Sequence, residues 1–225
     1  MKWNEDNSHL LRYRAEIQSG SIIAGQELIM ELDNLAEDFH NDEYYYDTSD
    51  ALLRMDFMEN CIKLTKSPYY GQPMKLMLWQ KAYIEALYSF KMARDLADRQ
   101  MVIDRFKRSL LLISRKNGKS EVVSGIGNAE LIVGNEGADL VCSSNDDAQA
   151  SIVYDALDMM RKLYDPDDLD TRRNQRFILN KGTNTKVFKL SERTKNKEGR
   201  NIDWAILDEC HELRENTIAK SIEQS

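Results

Sequence analysis

Residues 110–123 read LLLISRKNGKSEVV: a short apolar run, a polar turn that ends Gly118-Lys119-Ser120, and the start of a helical pattern. The second half of this stretch has the form of a phosphate-binding loop, G-x-x-x-x-G-K-[ST], but Ile113 stands where its first glycine belongs. A stretch of this kind decides a fold only with a partner elsewhere in the chain. Residues 202–207, IDWAIL, supply one: a buried-type strand closed by the adjacent carboxylates Asp208 and Glu209. A phosphate loop needs that partner, because the tip of a neighbouring strand can hold an acid beside a bound Mg2+.

Each residue of the pair has a chemical reason to be there. The backbone N–H groups of Lys116, Asn117, Gly118 and Lys119 form a concave donor surface at a helix start, where the helix dipole adds to the attraction for phosphate. Gly118 lets the backbone come close, and Lys119 brings a point charge to the β and γ phosphates. Ser120 is the candidate Mg2+ ligand, opposite Asp208, which binds the ion directly or through a water. Glu209 is the candidate base that activates the attacking water. Arg115 either stabilises charge on the γ-phosphate or anchors the loop. Upstream, the amide of Gln80 offers a donor and an acceptor that match adenine N6 and N7, although a helix-surface glutamine is the plainer reading. His211 is a lone histidine after a strand end and is assigned no metal.

The 225 residues suffice for one sizeable core with a small appended segment. Three well-separated cysteines, Cys61, Cys142 and Cys210, indicate neither a zinc site nor a disulfide framework. No run approaches a membrane-spanning length and the N-terminus is polar, so a cytosolic protein is expected. The net charge of −7 disguises a segregation. Residues 1–60 hold 14 acids and 4 bases, whereas residues 171–200 hold 10 bases and 2 acids. The basic tract from Arg172 to Arg200 is either a phosphate contact or a solvated loop on an edge hairpin.

Apolar spacing predicts helices over Leu10–Phe39 and Ser49–Leu64, with Asp47, Thr48 or Ser49 as a cap. SPYYGQP reads as a loop and as the domain boundary. Beyond it the pattern predicts a helix over Met74–Leu96, a strand buried on both faces over Arg108–Ser114, and a helix from Lys119 to about Gly134 that contains Gly125 and Gly127. A strand at 138–143, a helix at 146–163, a hairpin or two sheet-edge strands within 176–191 and the strand 202–207 follow. SERTKNKEGR, residues 191–200, reads as a loop. Alternating strands and helices imply an α/β fold, a parallel sheet with helices on both faces.

Four stretches together, YYGQPMKLMLWQKAYIEALY, SLLLISRKNGKS, SSNDDAQASIVYDALDMM and VFKLSERTKNKEGRNIDWAILDECHEL, resemble the large terminase subunit of tailed double-stranded DNA bacteriophages. The resemblance spans nearly the whole chain. It accounts for Ile113, since that family uses an R-x-x-G-K-[ST] loop, and it implies that Gln80 contacts adenine. It further implies a P-loop NTPase fold of the ASCE type, with a helical lead-in over residues 1–70 and an ATPase domain over 71–225 that stops before its last strands and before the family's nuclease domain. The implied activity is a Mg2+-dependent ATPase that drives DNA packaging in the host cytoplasm. ATP and Mg2+ would be its cofactors, and double-stranded DNA, the portal protein, the small terminase subunit and other copies in a ring its partners. The string Asp208-Glu209-Cys210-His211 also resembles the DExH box of helicases, and a non-catalytic nucleotide-binding assembly module is a third possibility.

Overall fold

A computed structural model of the chain describes residues 7–96, 99–114, 116–144, 147–191 and 202–208. They fall into two compact units, Met1–Asp56 with Lys75–Leu112, and Phe57–Met74 with Ile113–Ser225.

The first unit contains α1 (His9–Gln18), α2 (Gln26–Asp38), β1 (Tyr45–Tyr46), most of α3 (Ser49–Cys61), α4 (Leu78–Ser89), β2 (Phe90–Leu96) and β3 (Arg99–Asp104). Helix α1 starts where Ser8 Oγ accepts the Leu11 N–H, and the carboxylate of Glu85 on α4 accepts the N–H groups of His9 and Leu10. Leu10, Leu32, Leu35, Ala82 and Phe90 form its core. Asp47 accepts from both the N–H and the hydroxyl of Ser49, which fixes the entry to α3 and holds the Asp47 carboxyl below its usual range.

The spacing over Met74–Leu96 suggests one helix, but the helix ends at Ser89 and the chain continues as a strand. Residues Lys91–Leu96 pair antiparallel with Asp104–Arg99, and Phe90 pairs with Tyr46 in the order β1-β2-β3. The Phe90 ring packs edge-on against Phe39, Tyr46 and Phe106. Ladder bonds and this aromatic cluster override the local helical pattern.

The second unit is built on α5 (Lys119–Val133), β4 (Asp139–Ser144), α6 (Asp147–Tyr164), β5 (Thr171–Arg173), β6 (Phe177–Asn180), β7 (Lys186–Ser191) and β8 (Ile202–Leu207). Its sheet has the order β5-β6-β7-β4-β8. Strands β7, β4 and β8 are parallel, and β5 and β6 add an antiparallel margin, so the sheet is mixed. From Leu140 to Ser144 both faces of β4 are buried, with the apolar run Leu140–Cys142 at its centre. Helices α5 and α6 both lie on the face that carries Leu140, Cys142, Val187, Trp204 and Ile206, where the expected arrangement had helices on both faces. Two glycines let α5 approach closely: a Cβ on Gly125 would sit 2.8 Å from Met58 Cε, and one on Gly127 would sit 2.8 Å from Leu157 Cδ1.

The strand expected at Arg108–Ser114 does not form. These residues join no ladder, and Leu110 and Leu112 are 79% and 87% exposed. An apolar run becomes a strand only when its backbone finds a partner, and none of the described residues provides one.

The far end of α6 is fastened by a buried ionic network. Arg161, 1% exposed, donates to Asp158, Asp168 and Thr171 Oγ1. Arg173 bonds Asp158 and Asp155. Asp165 accepts the N–H groups of Leu169, Asp170 and Thr171 and the Thr171 hydroxyl, which closes the turn into β5.

Candidate nucleotide site

Gly118 is the N-cap of α5 and adopts the left-handed conformation at φ 77°. Lys116 is left-handed too, at φ 68°, which costs a side-chain-bearing residue about 1–2 kcal/mol. Left-handed residues at 116 and 118 flank Asn117, and left-handed residues within a turn are the backbone elements from which anion-binding nests are built. Asn117 Nδ2 donates to Ser114 Oγ and closes the loop on itself. No side chain caps the start of α5, where the helix dipole presents its positive end.

The sheet brings the acidic strand end to this helix start. Lys119 Nζ lies 2.9 Å from Asp208 Oδ1, with side chains 30% and 15% exposed. Asp208 follows β8 directly, and its N–H donates to the Ser143 carbonyl at 3.0 Å, extending the parallel ladder by one residue. Ser120, one residue into α5, is half-buried. A carboxylate and a hydroxyl suit Mg2+, which favours hard oxygen ligands and keeps several waters. Among the described residues no group of three or more His, Cys, Asp or Glu side chains gathers as a metal site, here or elsewhere.

The expected residues divide into three groups. Lys116, Asn117, Gly118, Lys119, Ser120 and Asp208 share one region of the second unit. Arg115 and Glu209, with Cys210, His211 and the tract 192–201, lie outside the described residues. Gln80 belongs to the first unit, is 8% exposed, and its Oε1 accepts the Met77 N–H at 2.7 Å, capping α4.

Ser144, Gln149 and Glu121, which sequence reading passed over, stand near this region. Ser144, the last residue of β4, is wholly buried and donates to the Asp208 carbonyl, and its hydroxyl also meets Gln149 on α6. Glu121, in the first turn of α5, accepts from Thr65 Oγ1 at 3.0 Å. Behind the site Cys142 is inert, its thiol pushed up to about 12 by burial.

The structure resembles the crystal structure of the HK97 bacteriophage large terminase, with a TM-score of 0.61 and 22% identity, over 77% of this chain and 34% of that one. The fold is terminase-like. At that coverage the chain spans about a third of the length of the solved terminase. No protein-family model and no curated protein matches the sequence. Among the described residues of this terminase-like fold, no helix is long and apolar enough to cross a membrane.

Proposed function

We propose that the chain is the ATPase motor portion of a phage large terminase, which hydrolyses ATP to drive double-stranded DNA into a procapsid. The observation that carries this reading is the 2.9 Å contact between Lys119, at the start of α5, and Asp208, at the end of β8. It supports the reading because it brings together two segments, about ninety residues apart in sequence, that would form the two halves of a Mg2+-nucleotide site.

In this P-loop reading the N–H groups from Lys116 to Lys119 bind the β and γ phosphates. Lys119 exchanges its Asp208 partner for phosphate oxygen, which frees the carboxylate. Asp208 and Ser120 would hold Mg2+, and when bound the ion neutralises charge on the phosphate oxygens. Glu209 orients and deprotonates the attacking water, and Arg115 offsets the charge developing on the transferred phosphoryl group. Double-stranded DNA, the portal protein, the small terminase subunit and further copies of the chain in a ring are the proposed partners.

Steady-state hydrolysis by the purified chain tests the reading. ATPase activity that is Mg2+-dependent, is stimulated by duplex DNA and is unaccompanied by strand separation supports a packaging motor. Strand separation would favour the helicase reading, and nucleotide binding without turnover would favour an assembly module.

A further inference from the structure

Asp208 is held by more than Lys119. Its carboxylate meets Lys119 Nζ, its N–H donates to the Ser143 carbonyl, and its carbonyl accepts from Ser144 Oγ at 3.1 Å. The first contact depends on a lysine that nucleotide would draw away. The second merely continues the sheet. The third comes from a wholly buried side chain, and the same hydroxyl lies 3.0 Å from the side-chain amide of Gln149.

A serine hydroxyl has one proton, and both neighbours, Gln149 Oε1 and the Asp208 carbonyl, stand as acceptors. Amide oxygen and nitrogen are interchangeable by a flip. Turning the Gln149 amide places its NH2 on Ser144 Oγ and leaves the serine proton for the Asp208 carbonyl. The result is a directed chain in which one Gln149 amide proton meets Ser144 Oγ and the serine proton meets the Asp208 carbonyl. Gln149 stands on α6, and α6 is itself bonded to α5: Asn128 Nδ2 donates to the Leu157 carbonyl at 3.1 Å, and Tyr164 Oη donates to Asn128 Oδ1 at 3.0 Å. The chain therefore ties the tip of β8 to the helix pair that carries the phosphate loop.

We propose that Gln149 and Ser144 are positioning residues, a relay that fixes the backbone at Asp208 and keeps the carboxylate in place for the metal once Lys119 has moved to phosphate. The inference rests on the nucleotide-binding reading above. Because the relay grips a carbonyl and not the carboxylate, it leaves the carboxylate oxygens to the cation and is insensitive to the charge of the nucleotide.

The test is calorimetric binding of ADP and of a non-hydrolysable ATP analogue to the 225-residue chain, with Mg2+ and with EDTA. In Ser144→Ala, affinity in EDTA stays as in the parent, while the tightening caused by Mg2+ shrinks by about five- to tenfold, the usual worth of one buried hydrogen bond. Ser144→Thr, which keeps the hydroxyl, restores it. Gln149→Ala moves in the same direction, and the double variant Ser144→Ala with Gln149→Ala is no worse than Ser144→Ala alone. A purely structural role would lower the melting temperature of the free chain and leave the Mg2+ effect intact, which overturns the proposal. If Ser144→Ala does not fold, an undiminished Mg2+ effect in Gln149→Ala overturns it equally. A parent chain that binds no Mg2+-nucleotide refutes the reading beneath, and the relay with it. A parent that shows the Mg2+ effect beside variants that keep it refutes the relay alone.

Discussion

Replacing each helix glycine of α5 by alanine makes a sharp test of how this helix is seated. In a helix interior Gly→Ala gains about 1 kcal/mol from backbone entropy. What opposes the gain differs between the two sites. At Gly127 the new methyl would lie 2.8 Å from Leu157 Cδ1 and 3.4 Å from Trp204 Cη2. Leu157 is 0% exposed and walled in by the core between α6 and the sheet, so it has nowhere to turn. Overpacking of this kind costs about 1–3 kcal/mol, and the expected net effect is a loss of about 1 kcal/mol. At Gly125 the contacts are Met58 Cε at 2.8 Å and Met74 Sδ at 3.2 Å, the ends of flexible side chains. Methionines adjust cheaply, and the net effect there should lie between zero and a gain of about 1 kcal/mol. Urea unfolding followed by circular dichroism measures both through the midpoint at constant m value. Equal stabilisation by the two substitutions would mean that α5 does not approach Leu157 and Trp204 as described.

Further outcomes follow from the site and its supports. Lys119→Ala should abolish nucleotide-dependent stabilisation in a thermal shift assay, while Glu209→Gln should keep binding and lose turnover; equal turnover in Glu209→Gln and the parent would refute the assignment of the base. Arg161→Ala takes one of three cations from Asp158, which is 1% exposed and keeps Arg173 and Lys162, and should cost about 1.5–3 kcal/mol in chemical unfolding, the worth of a buried charged hydrogen bond. Burial alone would raise the pKa of Asp165, but the Thr171 hydroxyl and the N–H groups of Thr171, Leu169 and Asp170 outweigh it and hold the carboxyl below its ordinary 3.8. For Asp158, burial is likewise outweighed by Arg173, Arg161 and Lys162. Depressed carboxyls stabilise the fold fully above the unfolded value near 4, and the contribution is lost as pH falls below it. Melting temperature should therefore drop as pH falls below about 4, and less steeply in Asp165→Asn; identical acid limbs would contradict the role given to Asp165.

Much of the second unit is legible in the sequence. The strand expected at 202–207 is observed as β8, and the helix that opens at Lys119 begins there, because Gly118 and an apolar periodic run are strong local signals. The pairing of the loop with Asp208 was likewise readable, since a turn of this composition and a strand ending in carboxylates are each local patterns. Failures came where long-range pairing decides. FKMARDL carries helical spacing, yet it is a strand because Arg99–Asp104 and Tyr45–Tyr46 flank it. LLLIS has strand composition but joins no ladder. Ser144 and Gln149 gave no warning, because a serine at a strand end and a glutamine on a helix are ordinary until the fold sets them beside Asp208.

The central claim is that the loop at 116–120 and Asp208 together bind one Mg2+-nucleotide. Melting temperature in the presence of ATP analogue, with Mg2+ or with EDTA, addresses it directly. At a hundredfold excess over the dissociation constant the parent should gain about 2.7 kcal/mol, with part of the gain dependent on Mg2+ and that part lost in Asp208→Asn. No shift in the parent at millimolar nucleotide, or a Mg2+ increment unchanged in Asp208→Asn, would contradict it.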